Sequence, residues 1–122
     1  MLQITDFFKI LSDETRLRII MLLVQGDLCV CEMCGVLQLS QPKVSKHLAK
    51  MRDKGYVEIK KIEQFVFYSL KLEDPVVSGI ITLISENRNA YPQLMEDQTR
   101  LGDKENYLNH CNVIQIKKIS DL

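Results

Sequence analysis

The chain lacks any apolar run near the roughly 20 residues that a membrane-spanning helix needs, so no transmembrane segment is expected. Its first residues, MLQITDFFKI, carry no basic stretch and no small-residue cleavage site, so no secretory signal is expected and the chain reads as cytoplasmic. Internal repeats and low-complexity tracts are missing, which excludes repeat architectures. Net charge is missing too: 16 Lys and Arg balance 16 Asp and Glu, so overall charge gives no reason to expect a polyanionic partner. No Ser/His/Asp arrangement, glycine-rich phosphate loop or paired carboxylates suggest an enzyme. Cys31-x-x-Cys34 is the one enzyme-like motif. A thiol oxidoreductase would place it near a βαβ pattern, whereas helical patterns flank it here.

What is present fits one domain with a tail. The length is 122 residues and hydrophobic content is 46%, ordinary for a globular core. Residues 1–91 read as the domain and 92–122 as a C-terminal tail without an assigned role. The fold class expected is mainly α with a small β-hairpin.

That expectation is built element by element. Ile4, Phe7, Phe8 and Leu11 make the i, i+3, i+4, i+7 stripe of a short helix. Ser12 is placed to cap a second helix over 13–25, whose face carries Leu17, Ile20, Met21 and Val24, with Gly26 as its stop. A short helix is expected over 28–38, weakened by Gly35. Leu39 and Ser40 make the turn, and Ser40 caps a helix over about 41–54 that tolerates Pro42 in its first turn. Val44, Leu48 and Met51 form its apolar face, and Gly55 ends it. Residues 56–62 and 65–70 read as a hairpin turning at Glu63-Gln64. After Pro75, 76–87 reads as a helix whose apolar face is too wide for one small neighbour, which points to a homodimer. Beyond Tyr91 the pattern supports only a helix over 103–110 and a strand or a helix turn over 113–119. This order of elements reads as a winged helix-turn-helix over residues 1–91 that both contacts DNA and dimerises.

Charge is unevenly distributed. Residues 40–61 hold seven Lys and Arg against two acids, a net of +5, whereas 62–110 carry a net of −4. A basic stretch centred on the second helix of a helix-turn-helix is the electrostatic footprint of a small DNA reader. Gln41, Lys43, Ser45 and Lys46 lie where base edges and phosphates come within reach. Lys50, Lys60 and Lys61 fit phosphate contacts. His47 fits either a backbone contact or packing at the helix flank.

Directly before that helix stand Cys29, Cys31 and Cys34. In a reducing compartment, three cysteines within six positions read as ligands or redox sensors ahead of core residues. Thiolates without histidine favour a soft ion, and trivalent arsenic is satisfied by three sulfurs. Zinc wants four ligands, and Cys111 or His110 could supply the fourth, so zinc and cadmium stay open. Thiol oxidation also stays open, because it too needs accessible thiols. On a helix Cys31 and Cys34 share a face, but Cys29 and Cys31 point to nearly opposite sides. All three meet one ion only where the helix start is irregular or becomes so. A soft-ion site next to a DNA-reading helix implies a sensor that releases DNA on binding.

Three segments, SDETRLRIIMLL, LCVCEMC and LSQPKVSKHLAKMRDKGYVE, together resemble the ArsR/SmtB family of metalloregulatory repressors over roughly residues 4–90. LCVCEMC is similar to the C-x-C-x-x-C signature of the arsenic-sensing branch. The resemblance implies a homodimer on a palindromic operator, arsenite or antimonite as inducer at Cys29, Cys31 and Cys34, and no organic cofactor. Relatives with a second site on the last helix use His and carboxylates there. Residues 76–87 hold no His and only Glu86, so that zinc or cobalt site is not expected. Cadmium- and lead-sensing relatives add N-terminal cysteines, and none precedes Cys29.

Overall fold

A computed structural model describes residues 2–103, with side chains from Ile4 onward. The elements run α1 (Leu2–Leu11), α2 (Glu14–Leu23), α3 (Val30–Leu37), α4 (Gln41–Asp53), β1 (Val57–Ile62), β2 (Phe65–Leu70), α5 (Pro75–Glu86), a 3-10 turn (Arg88–Ala90) and α6 (Pro92–Gly102). The segments expected over 103–110 and 113–119, with His110 and Cys111, lie outside the described residues apart from Asp103.

Helices α2, α3 and α4 enclose the core. The whole run Ile19–Leu23 is buried, along with Met33, Val36 and Leu37 of α3 and Val44, Leu48 and Met51 of α4. Spacings of four and three residues along α4 turn one stripe inward. Each of its three side chains has no exposed surface, so truncating one to alanine removes about 2–5 kcal/mol of stability. Phe7 seals the far side and stacks at a tilt on Tyr56, with centroids 5.6 Å apart.

Two expected features are corrected. Asp13, not Ser12, is the N-cap of α2: its carboxylate accepts from the Arg16 amide at 3.1 Å. The Ser12 amide still bonds the Phe8 carbonyl, so Ser12 belongs to the end of α1, and its hydroxyl donates back to Lys9 O. Leu28 does not begin α3. Its amide donates to Tyr68 O at 3.2 Å and its carbonyl accepts from the Tyr68 amide at 2.8 Å, making a bridge to β2.

The hairpin pairs antiparallel from Val57↔Leu70 to Ile62↔Phe65, and its turn is at Glu63, with φ 58°. Gly55 ends the α4 turn at φ 83°, a conformation that glycine adopts without strain. Helix α5 turns Val77 and Ile81 to the core and leaves Val76 (60%) and Leu83 (63%) exposed. Beyond residue 91, α6 lies against α2 and α3 and buries Leu94 and Asp97. No helix among the described residues is long and apolar enough to cross a membrane.

Candidate DNA-binding face and thiol segment

Ser40 is the N-cap of α4; its Oγ accepts from the Lys43 amide at 3.4 Å, and Pro42 lies in the first turn. With Val44, Leu48 and Met51 inward, Gln41, Lys43, Lys46 and Lys50 are solvent-exposed and Ser45 is half-buried. Lys43, Lys46 and Lys50 follow i, i+3, i+7 spacing and share one face, next to a helix N-terminus that favours anions.

The turn before α4 is specified in detail. Gln38 adopts φ 58° and ψ 45°, and both its amide and that of Leu39 bond to Cys34 O. The Gln38 side chain donates to Gly35 O at 2.6 Å. This left-handed residue turns the chain sharply from α3 into α4.

On the wing, Lys60 and Lys61 are neighbours on β1, so they project to opposite faces of the hairpin. Lys60 turns to Asp27, with Nζ 3.5 Å from Oδ2, an exposed pair that solvent screens. Lys61 is exposed on the other side.

His47 is half-buried against the start of α2. Arg16 Nη1 lies 3.4 Å from its Nδ1, and Asp13 Oδ1 lies 3.9 Å from its Nε2. Arginine only donates, so Nδ1 accepts and the neutral ring carries its proton on Nε2, facing Asp13. Burial lowers the His47 pKa and outweighs the Asp13 carboxylate, with Arg16, Lys46 and Lys43 pushing the same way as burial. Burial acts to raise the Asp13 pKa, yet the Arg16 amide and the His47 and Arg16 charges hold it below its ordinary value. Arg16 also donates to Ile10 O at 3.0 Å and Lys9 O at 3.2 Å, closing the end of α1. One arginine thus joins α1, α2 and α4.

Cys29, Cys31 and Cys34 are all half-buried thiols, none in a disulfide. Cys29 is the N-cap of α3 in extended backbone (φ −86°, ψ 166°), so the irregularity that the spacing demands is already present. Its amide donates to Glu32 Oε1 at 3.1 Å, one half of a capping box. Burial pushes the Cys29 thiol up to about 12, against the Glu32 amide and with help from the Glu32 carboxylate. Burial also raises Cys34, reinforced by Cys31. Cys31 and Cys34 lie on one face of the helix. Among the described residues no three His, Cys, Asp or Glu side chains are gathered closely enough to hold a metal ion. Cys29 stands outside the helix that carries Cys31 and Cys34.

The sequence reading missed one buried pair. Arg18 Nε and Nη2 donate to the two Asp97 carboxylate oxygens, each at 2.8 Å, and Nη2 also donates to Leu37 O at 2.9 Å. The available signal was a charge inside each apolar pattern: Arg18 between Leu17 and Ile19, and Asp97 three residues after Leu94.

A short helix, a left-handed turn, a capped basic helix and a two-stranded hairpin define a winged helix-turn-helix protein. The family model described as "Bacterial regulatory protein, arsR family" matches residues 13–58. An HTH-type transcriptional regulator of Methanocaldococcus jannaschii is 37% identical over 82 residues, which are 66% of this chain and 90% of that protein. The chain therefore belongs to the arsR family of bacterial regulatory proteins. It is also 49% identical over 71 residues to the arsenical resistance operon repressor of Escherichia coli K12, covering 57% of this chain and 61% of that protein's length. Among solved structures, reduced HlyU from Vibrio cholerae N16961 superposes with a TM-score of 0.63 at 34% identity, covering 70% of this chain and 87% of that one.

Proposed function

We propose that this protein is a cytoplasmic transcriptional repressor, not an enzyme. It binds a palindromic operator as a homodimer and releases it when arsenite or antimonite is captured by Cys29, Cys31 and Cys34. The observation that carries this reading is the placement of three free thiols, one at the N-cap and two within α3, on the segment that leads through one fixed turn into a capped and lysine-faced α4. Likeness to a repressor of arsenical resistance supports it. Gln41, Ser45 and Lys46 would read base edges, Lys43, Lys50 and Lys61 would hold phosphates, and Lys60 would join them on leaving Asp27. His47 would steady α4 beside the phosphate backbone.

Arsenous acid suits this donor set. It condenses with three thiols: three As–O bonds give way to three As–S bonds, and each thiol proton leaves with a hydroxide as water. No electrons move and no net protons are released. A divalent cation on the same thiols must expel their protons to solvent. Capture draws Cys29 toward the Cys31–Cys34 face, displaces α3, and moves α4 relative to its dimer mate.

The test is fluorescence anisotropy of the reduced protein on the DNA upstream of its own coding sequence, at fixed salt because phosphate contacts are salt-dependent. Release is expected at about one arsenite per subunit, given one three-thiol site in each chain. Cys31→Ser and Cys34→Ser should stay on DNA in arsenite, and Cys29→Ser should still release, since Cys29 completes the site with less effect on switching. Release retained in both of the first two variants sinks the three-thiol switch. Release by cadmium, zinc or peroxide but not arsenite keeps the DNA reading and discards the inducer. No DNA binding at all discards the repressor.

A further inference from the structure

Helix α3 ends on carbonyl groups that no residue of the helix can satisfy. Cys34 O takes the Gln38 and Leu39 amides, Gly35 O takes the Gln38 side chain, and Leu37 O takes Arg18 Nη2. The first three bonds are local. The fourth comes from α2, and its donor is oriented from a third element. Asp97 of α6 grips the Arg18 guanidinium through two parallel 2.8 Å bonds, and Gln93 donates to the same carboxylate at 3.0 Å. The pair is well shielded, with side-chain exposures of 10% and 3%. A fork-to-fork pair fixes the plane and direction of a guanidinium, which a single contact does not.

We propose that Arg18 and Asp97 are positioning residues for DNA release. Held by α6, Arg18 clamps the last carbonyl of the thiol-bearing helix, so that a displacement of α3 is delivered to α4 instead of being absorbed in the Gln38–Leu39 turn. This gives α6, beyond the winged domain proper, a part in the switch. Without the clamp, Leu37 O and the turn relax independently of α4, and capture of a ligand at Cys29–Cys34 is no longer felt at the DNA. The inference rests on the reading of α4 as the DNA-contacting helix.

Removing one partner alone strands a buried charge and confuses positioning with folding. The informative variant is Arg18→Met with Asp97→Leu, which refills both volumes with apolar atoms and removes the donor to Leu37 O. Asp97→Asn is the second variant, near-isosteric and still able to accept one bond from Arg18. It leaves the guanidinium charge uncompensated, so its melting temperature is read beside that of the double variant to separate lost folding stability from lost positioning. Three quantities are read for each: melting temperature, amide exchange at Leu39 and Val44 against Phe7 and Ile10 in α1, and the ratio of operator Kd with and without arsenite. The double variant should melt close to the parent. Its Leu39 and Val44 amides should exchange roughly tenfold faster, the scale of one charge-assisted hydrogen bond, with the α1 amides unchanged. The Kd ratio should shrink at least about fivefold while arsenite still binds. Parent-like exchange at Leu39 and Val44 in both variants, or a parent-like Kd ratio, overturns the proposal; a purely structural pair would move only the melting temperature. A parent that neither binds its DNA nor answers arsenite discards the proposed function, while the exchange data still decide whether the clamp holds the turn.

Discussion

His47 shows how one side chain can be written into two surfaces. It stands on α4, the helix proposed to read DNA, beside Lys43 and Lys46, yet its ring is occupied by Arg16 and faces Asp13. Because burial lowers its pKa from the ordinary 6.5, the folded chain binds the imidazole proton less well than the unfolded chain does. Stability therefore rises with pH between the lowered value and 6.5, and is lost as pH falls through that window. Asp13 acts in a separate range: its stabilisation is present above its ordinary 3.8 and is lost in acid below it. The melting temperature of the parent should thus drop more between about pH 7 and pH 5.5 than that of His47→Gln, which keeps an acceptor for Arg16 but does not titrate. Equal drops would remove His47 from the pH response.

Elements with a single strong period were legible in the sequence. The stripe of Val44, Leu48 and Met51, the Ser40 cap and Gly55 gave α4 almost to the residue, and the hairpin turn fell at Glu63-Gln64 as expected. Two adjacent cap-competent residues were less decidable. Ser12 and Asp13 can both cap, and which one does depends on where α1 lets go, since the Ser12 amide is still bonded to Phe8 O. Leu28 reads as helix by composition but is claimed by β2, a pairing across 40 positions that no local pattern announces. Helix α6 was hidden because its inward face mixes Leu94 and Leu101 with Asp97, a charge that makes sense only beside Arg18, 79 positions away. The thiol segment was plain as a motif. The need for an irregular start to the thiol helix was legible from the two-residue spacing of Cys29 and Cys31. That Cys29 stands outside the helix as its N-cap was not, because Leu28 before it is held by β2.

At the scale of the whole molecule, a neutral chain gathers seven of its 16 Lys and Arg within residues 40–61, on one capped helix and its wing, and leaves apolar side chains outside. Val76 and Leu83 lie seven residues apart on the outer face of α5, and Phe8 of α1 is also about half exposed. Water is a poor neighbour for so many large apolar groups, and in the proposed homodimer a second copy would offer the same surface in return. Leu83→Glu should convert a sedimenting dimer to a monomer with unchanged helical circular dichroism, and should weaken binding to a two-half-site operator far more than to a single half-site. A variant that remains dimeric on sedimentation would place the subunit interface elsewhere.

The bridge between Leu28 and Tyr68 carries a consequence in time. Both peptide groups flanking Leu28 are tied to the wing, so a backbone shift that carries Cys29 toward Cys31 and Cys34, as the proposed capture would require, opens two backbone hydrogen bonds. Cys31 and Cys34 stand on one face of a formed helix and need no such opening. A ligand that ends on three sulfurs should therefore be caught twice: first by the pair, at a rate proportional to its concentration, then by Cys29, at a rate set by the protein alone. Rapid mixing with arsenite should show two phases, the slower one independent of concentration and missing in Cys29→Ser; one phase in the parent would mean that the bridge imposes no wait. On the proposed function, how long a brief exposure must last before the gene responds would be decided by a pair of bonds to the wing, while the affinity of the sulfurs would decide only how much ligand is enough.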